Sequence, residues 1–338
     1  MVANFVKESM MIELTIYQSL RYHKITTNSK FFLLIKLVLY IDTNMEAAMK
    51  LKIFQKGFNY SQDGQGNRLI LHLQGCNMKC PWCSNPEGMP LEGVLFVEKD
   101  WLEESCCPKG AVRERRLDRS VCKNCEEYAC VRSRRQKGIR LSYKEYEVDE
   151  VVKECRLSKP MFFEGGGVTL TGGEITMQFD AVKELLQKLG EEGIHRAIES
   201  NGTHPRMEEL IPCVDQWIMD VKHYDNDIHK SWVGVPNIWT IKNLEKVSAQ
   251  HSNVLIRVPL IPGFNDSPKD AEGFAKLFEE HIKGENTKVE FLIYHEFGKG
   301  KWEQCGLEYR MKSERIAPGI VEYFENVLKE HGISCIRT

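Results

Sequence analysis

The 338-residue sequence contains no run of 18 or more apolar residues, which excludes a transmembrane helix. The apolar stretch at 31–41 is eleven residues long, too short for a membrane span; its length suits a secretory h-region, but Lys36 inside it and the lack of a clean small-residue cleavage pattern weaken that reading. There is no excess of one charge either. With 46 Lys and Arg against 48 Asp and Glu, the formal charge is −2, and no global basic character points to nucleic acid or a membrane surface. Hydrophobic residues at 42% and charged residues at 28% exclude a disordered chain. Residues 1–48 lack the patterning of the rest of the chain, and are expected to be a disordered leader or to precede the native start. Regular alternation begins with Leu51-Lys52-Ile53-Phe54. Cysteine is not scarce. There are 12, eight of them between Cys76 and Cys130, which points to metal or redox chemistry in the first half. So many unpaired thiols suit a reducing compartment, and the expected location is the cytoplasm.

From residue 69 onward, short apolar runs alternate with amphipathic stretches. Strands are predicted at 69–73, 168–171, 197–200, 217–221, 254–259 and 289–293, and helices at 177–192, 206–214, 239–249, 270–282 and 317–331. A short closing strand is expected at 334–337. Six βα repeats with right-handed crossovers predict an α/β fold, a parallel sheet curled into a partial (β/α)6 barrel occupying 49–87 and 148–338. Ligands of such sheets bind at the carboxyl ends of the strands. Residues 88–147 interrupt the pattern as an insert with five cysteines and few apolar residues. Between Lys109 and Lys144 it carries 12 Lys and Arg against 4 Asp and Glu, which is either a solvated face or a dock for an acidic electron donor.

After the first predicted parallel strand comes Gly75-Cys76-Asn77-Met78-Lys79-Cys80-Pro81-Trp82-Cys83. Three thiolates on one tight loop leave a tetrahedral zinc site one ligand short, whereas on a [4Fe–4S] cube they leave one iron open for a ligand. The C-x3-C-x2-C loop resembles the signature of radical S-adenosylmethionine (SAM) enzymes. With Asp63-Gly64-Gln65-Gly66-Asn67-Arg68 before it and Ser84-Asn85-Pro86-Glu87 after it, the chain from about 51 to 335 resembles the activating enzymes of glycyl-radical enzymes. Gln65 and Asn67 depart from the family's usual proline and apolar residue; they bear on a turn and on no expected ligand.

The resemblance implies a fold and a set of roles. Cys76, Cys80 and Cys83 would hold the catalytic [4Fe–4S] cluster, with Trp82 beside the cofactor. In Gly165-Gly166-Gly167-Val168-Thr169-Leu170-Thr171-Gly172-Gly173-Glu174, Gly172, Gly173 and Glu174 would hold the SAM amino group. Asp220 and Lys222 face one side of a strand at i, i+2, so they can share a polar ligand. By resemblance, Lys222 would lie near the methionine carboxylate. Glu199 and Ser200, with Asp220, would surround a monovalent cation. Arg257 would pair with the ligand's carboxylate, or else brace the rim, and His295 would meet the nucleoside.

In the insert, Cys107-Pro108 and Cys122-x2-Cys125-x4-Cys130 look like fragments of a two-cluster ferredoxin. Crossed ligation makes Cys107, Cys122, Cys125 and Cys130 one complete set for an auxiliary [4Fe–4S] cluster. Cys106 is an alternative ligand and a four-cysteine zinc knuckle a rival. Cys155, Cys213, Cys305 and Cys335 read as ordinary thiols.

The implied function is reductive, anaerobic cleavage of SAM to a 5′-deoxyadenosyl radical, which takes hydrogen from a glycine of a partner glycyl-radical enzyme. Flavodoxin or ferredoxin would donate the electron. No side chain is needed as acid, base or nucleophile. The alternatives are a radical SAM enzyme that modifies a peptide or small molecule directly, and a non-catalytic iron–sulfur carrier, which would leave Glu174, Lys222 and Arg257 without a purpose.

Overall fold

The computed structural model describes residues 48–338 apart from 123, 124, 126, 127, 133–137 and 313. The expected leader, save its last residue, lies outside the described residues. The strands are β1 (Lys50–Tyr60), β2 (Asn67–Leu73), β3 (Leu95–Val97), β4 (Val112–Arg113), β5 (Arg116–Leu117), β6 (Ile139–Leu141), β7 (Lys144–Glu147), β8 (Gly167–Gly172), β9 (Arg196–Ser200), β10 (Gln216–Asp220), β11 (Val254–Leu260) and β12 (Thr287–Ile293). The main helices are α1 (Val148–Leu157), α2 (Phe179–Glu191), α3 (Asn226–Val233), α4 (Ile238–Gln250), α5 (Pro268–His281), α6 (Lys299–Cys305) and α7 (Ile320–Glu330).

The main sheet runs β12-β11-β10-β9-β8-β2-β1-β7. From β2 to β12 its six strands are parallel and lie side by side in chain order. This is the topology that right-handed βα repeats generate, and it is the predicted partial barrel. β1 pairs antiparallel with β2, and β7 pairs antiparallel with β1. Alternation assigns the two faces. On β10, Trp217 and Met219 enter the core under the helices with Leu244, Phe274 and Phe324, while Asp220 takes the opposite face. Each large side chain buried in that core contributes roughly 2 kcal/mol of transfer free energy.

Three segments differ from the sequence reading. The helix predicted at 206–214 is 3-10 over Met207–Cys213, because Pro212 has no N–H to give an α-helical ladder. The closing strand is reduced to one bridge, with Val289 N–H donating to Ser334 and Ile336 N–H to Val289. Lys144–Glu147, counted by composition with the insert, joins the main sheet as β7. The remainder of the insert has two small sheets, β3-β6 and β4-β5, over an apolar cluster of Leu95, Val97, Leu102, Val112 and Ile139.

Candidate functional site

The loop after β2 is tied to the loop after β8. Gly173 N–H donates to the Leu73 carbonyl (2.9 Å) and Glu174 N–H to the Gly75 carbonyl (2.7 Å), while Gly75 and Cys76 donate to Gly88 and Met89 (2.8 Å each). Gly172 has φ +120°, and a Cβ on Gly173 would collide with the Gly75 carbonyl oxygen. The two glycines are therefore what allow the loops to meet.

Within the cysteine loop, Cys83 N–H closes a turn onto the Cys80 carbonyl at 3.1 Å. The Cys76 and Cys83 sulfurs accept from Met78 N–H and Asn85 N–H, at 3.4 Å each. Burial pushes the Cys76 thiol well above its ordinary value, Cys80 up to about 12 and Cys83 up to about 11, and the thiols reinforce one another. Without a cationic partner they stay protonated. Lys222 is a cation of the protein itself that acts on both Cys80 and Cys83. Burial opposes its charge, but Asp220 (2.9 Å) and the thiols of Cys80 and Cys83 outweigh burial and raise its pKa. Trp82 is buried against Phe264 and Trp232, with ring centroids at 4.8 and 6.1 Å, in a cluster that also holds Met78 and Cys80.

The carboxylate of Glu174 is only 1% exposed. It accepts from Thr176 N–H (3.0 Å), Thr176 Oγ1 (2.6 Å), Ser200 Oγ (2.9 Å) and Asn201 N–H (2.7 Å). Burial outweighs these bonds and raises its pKa. Glu174 and Ser200, both expected at the cofactor, thus bond each other and join the ends of β8 and β9.

Arg257 is the fourth residue of β11 rather than its last. Its guanidinium is 8% exposed and bonds Glu199, the Gln62 carbonyl and Glu290 (Nε to Oε2, 2.9 Å), with Asp63 at 3.9 Å. The group expected to meet a ligand carboxylate is held by the protein's own acids. Glu199 also accepts from Thr171 Oγ1 at 2.6 Å, and burial pushes its carboxyl up to about 7 despite Arg257. His295 is exposed at the rim and stacks on Phe297 with centroids 4.3 Å apart.

Sequence reasoning missed α6. Trp302 Nε1 donates to the Cys83 carbonyl (2.9 Å), and Lys301 reaches Asn85 Oδ1 (2.8 Å) and the buried Glu87 (2.7 Å). The signal was Glu87 in the Ser84-Asn85-Pro86-Glu87 motif, since a buried carboxylate calls for a cation.

In the insert, the Cys107 sulfur accepts from Ala111 N–H at 3.4 Å. Burial raises the Cys122 and Cys130 thiols, and the cysteines around them raise them further. Cys122 feels Cys130, Cys107 and Cys125, and Cys130 feels Cys107 and Cys125. Cys107, Cys122 and Cys130 pack on the insert's apolar cluster, and among the described residues no three of these cysteines converge on a single ion. Cys106 lies there too, its thiol raised by burial and by Cys130 and Cys107.

The radical SAM superfamily model matches residues 70–275. The 4-hydroxyphenylacetate decarboxylase activating enzyme of Clostridioides difficile (strain 630) is 31% identical over 291 residues, 81% of this chain and 91% of that protein. The (2S)-3-sulfopropanediol dehydratase activating enzyme of Klebsiella oxytoca is 32% identical over 295 residues, 81% and 92% of the two chains. A solved radical SAM methyltransferase from Sphaerobacter thermophilus has a TM-score of 0.50 at 14% identity, covering 89% of this chain and 80% of its own, and bears on the fold alone. The chain belongs to the radical SAM superfamily and, within it, to the activating enzymes of glycyl-radical enzymes.

Membership implies a [4Fe–4S] cluster and SAM as cofactors. The residues fit the cluster. Among the described residues no three metal-ligating side chains converge on a single ion. A cluster bound there would supply positive charge that offsets the burial holding Cys76, Cys80 and Cys83 protonated. No described helix is long and apolar enough to cross a membrane.

Proposed function

We propose that the protein activates a partner glycyl-radical enzyme. When bound, the cluster and SAM supply a 5′-deoxyadenosyl radical, which abstracts hydrogen from a partner glycine. The observation that carries this reading is the joining of the C-x3-C-x2-C loop to Gly172-Gly173 at the strand ends, in a chain about 30% identical to named activating enzymes.

The chain's own residues bind, orient and shield. Cys76, Cys80 and Cys83 would hold the cluster, and Trp82 packs behind them to exclude water. The backbone at Gly172 and Gly173 lies against the loop, where it meets the amino group of SAM. Glu174 acts there through its backbone, its carboxylate keeping Ser200 and Asn201 in place. Lys222, steered by Asp220, meets the carboxylate of SAM, with Arg257 behind it, and His295 meets the nucleoside from the rim. Glu199 and Asp220 offer carboxylates to a monovalent cation. Cys107, Cys122, Cys125 and Cys130 would hold a second [4Fe–4S] cluster within the insert at 88–147, and would supply there a relay for electrons from flavodoxin or ferredoxin. The barrel at 49–87 and 148–338 is the catalytic body, the leader ends at 48, and the protein works in the cytoplasm.

Anaerobic reconstitution tests this. Near eight irons per chain and reductive release of 5′-deoxyadenosine are expected. About four irons with one zinc would remove the second cluster. Mixing with the glycyl-radical protein of the neighbouring gene should give a glycyl radical signal by EPR, and its absence would count against that pair.

A further inference from the structure

A cavity of about 670 Å3 opens between the insert and α6, with Lys99, Arg115, Arg116, Arg119, Phe297 and Lys301 in its wall. Lys99 and Lys301 are paired with Glu303 and Glu87. Arg115 and Arg116 are exposed and enter no ion pair among the described residues. They stand at the tip of the β4–β5 hairpin, whose two turn residues, Glu114 and Arg115, have φ of 48° and 57°. A left-handed pair suits Asn-Gly; with other side chains each residue costs roughly 1 kcal/mol. The chain retains this strain where it presents two guanidiniums that have no ion pair among the described residues. Phe297, 86% exposed, lines the same cavity, and Trp101, 70% exposed, directly follows its lining residues Lys99 and Asp100. Two exposed aromatics beside these arginines are a surface arranged for a protein partner.

The floor of the cavity connects to both groups of cysteines. Arg119 begins the helical turn Arg119–Cys122 and donates to the carbonyls of Leu95 and Gln304, at 2.9 Å each. Gln304 belongs to α6, whose Trp302 bonds the Cys83 carbonyl. Short hydrogen-bonded and covalent steps thus run from the cavity to Cys122 on one side and to Cys83 on the other.

The geometry points to this cavity as the docking site of an acidic one-electron carrier protein, a placement that rests on the function proposed above. Cationic side chains there steer an acidic partner, and the aromatics seat it beside the insert's thiols. One electron moves. The carrier is oxidised by one electron and an iron–sulfur centre of this chain is reduced by one, with no bond made or broken.

The test uses the full chain, reconstituted anaerobically, with the double variant Arg115→Glu/Arg116→Glu beside it. Cluster reduction is followed by stopped-flow absorbance and freeze-quench EPR, with reduced flavodoxin as one reductant and dithionite as the other. At low ionic strength the variant should be reduced by flavodoxin roughly tenfold or more slowly than wild type, a gap that closes with salt, while dithionite reduces both equally. Equal rates with flavodoxin would overturn the proposal. So would an equal slowing with both reductants, which would mark a general structural defect; Arg115→Gln/Arg116→Gln, milder for the fold, must still show the flavodoxin-specific loss. Iron content separates the two readings. Four irons with a charge-sensitive flavodoxin rate would remove the second cluster and leave the dock. Eight irons with a charge-insensitive rate would do the reverse.

Discussion

Glu199→Gln is expected to make the protein more stable at neutral pH, not less. Glu199 sits on the inner face of the sheet, while its neighbour Ile198 enters the helix-side core. Burial dominates its titration, Arg257 opposes burial, Asp63 and Asp220 add to it, and the carboxyl is pushed up from 4.5 to about 7. The folded state therefore keeps a proton that the unfolded chain has released, so stability falls as the pH rises from about 4.5 through about 7. At about 1.4 kcal/mol per pH unit, the loss is about 3 kcal/mol. A glutamine keeps one oxygen to accept from Arg257 and turns its amide N–H toward the Thr171 hydroxyl oxygen, which can accept, without the charge. The variant should gain up to about 3 kcal/mol at pH 8, roughly 6 °C in Tm for a domain of this size, and match wild type near pH 5. Thermal unfolding of both proteins by circular dichroism under argon, across pH 5–8, measures it. An equal or lower Tm for the variant at pH 8 would refute the reasoning and show the Glu199–Arg257 pair to be net stabilising. A carboxylate that costs stability at working pH is retained for binding, so SAM cleavage should slow in the same variant.

Other substitutions probe the parts separately. Lys301→Met strands the buried Glu87 and should cost about 3–5 kcal/mol by denaturant unfolding, with Lys301→Arg recovering part of it. Gly173→Ala drives a methyl into the Gly75 carbonyl, and should lower SAM cleavage at least tenfold with the insert's iron retained, read from product release and iron content. Cys76→Ser should abolish SAM cleavage and leave roughly four irons, whereas Cys107→Ser should leave roughly four irons together with the EPR signal of the catalytic cluster. An iron chelator under reducing conditions should lower Tm more in wild type than in Cys76→Ser, since only wild type loses both clusters.

Much of the fold was legible because its signals are local. All six parallel strands fall where apolar runs of 4–6 residues stand between amphipathic stretches, and their register follows from which residues alternate into the core. β7 was harder to see. Lys144–Glu147 has one apolar residue in four and is a strand only because β1 offers it an edge. The helix at 206–214 lost its α form to Pro212. In the site, the cysteine loop and the glycines after β8 were readable from spacing, since a tight turn of thiols and a close backbone approach each demand particular residues in sequence. Lys301 and Trp302 were not, because their partners lie 216 and 219 residues away.

The sequence by itself determined the parallel βα order and the loop able to carry a three-thiol cluster, because periodicity and spacing act over a few residues. The tertiary structure alone decided what the charged groups of the barrel do. Arg257 and Glu174 read as free to meet a ligand, yet the fold surrounds one with Glu199, Glu290 and the Gln62 carbonyl and the other with four donors from Thr176, Ser200 and Asn201. Whether a buried charge is available or spent depends on every element packed against it, and those elements meet only when the chain has folded.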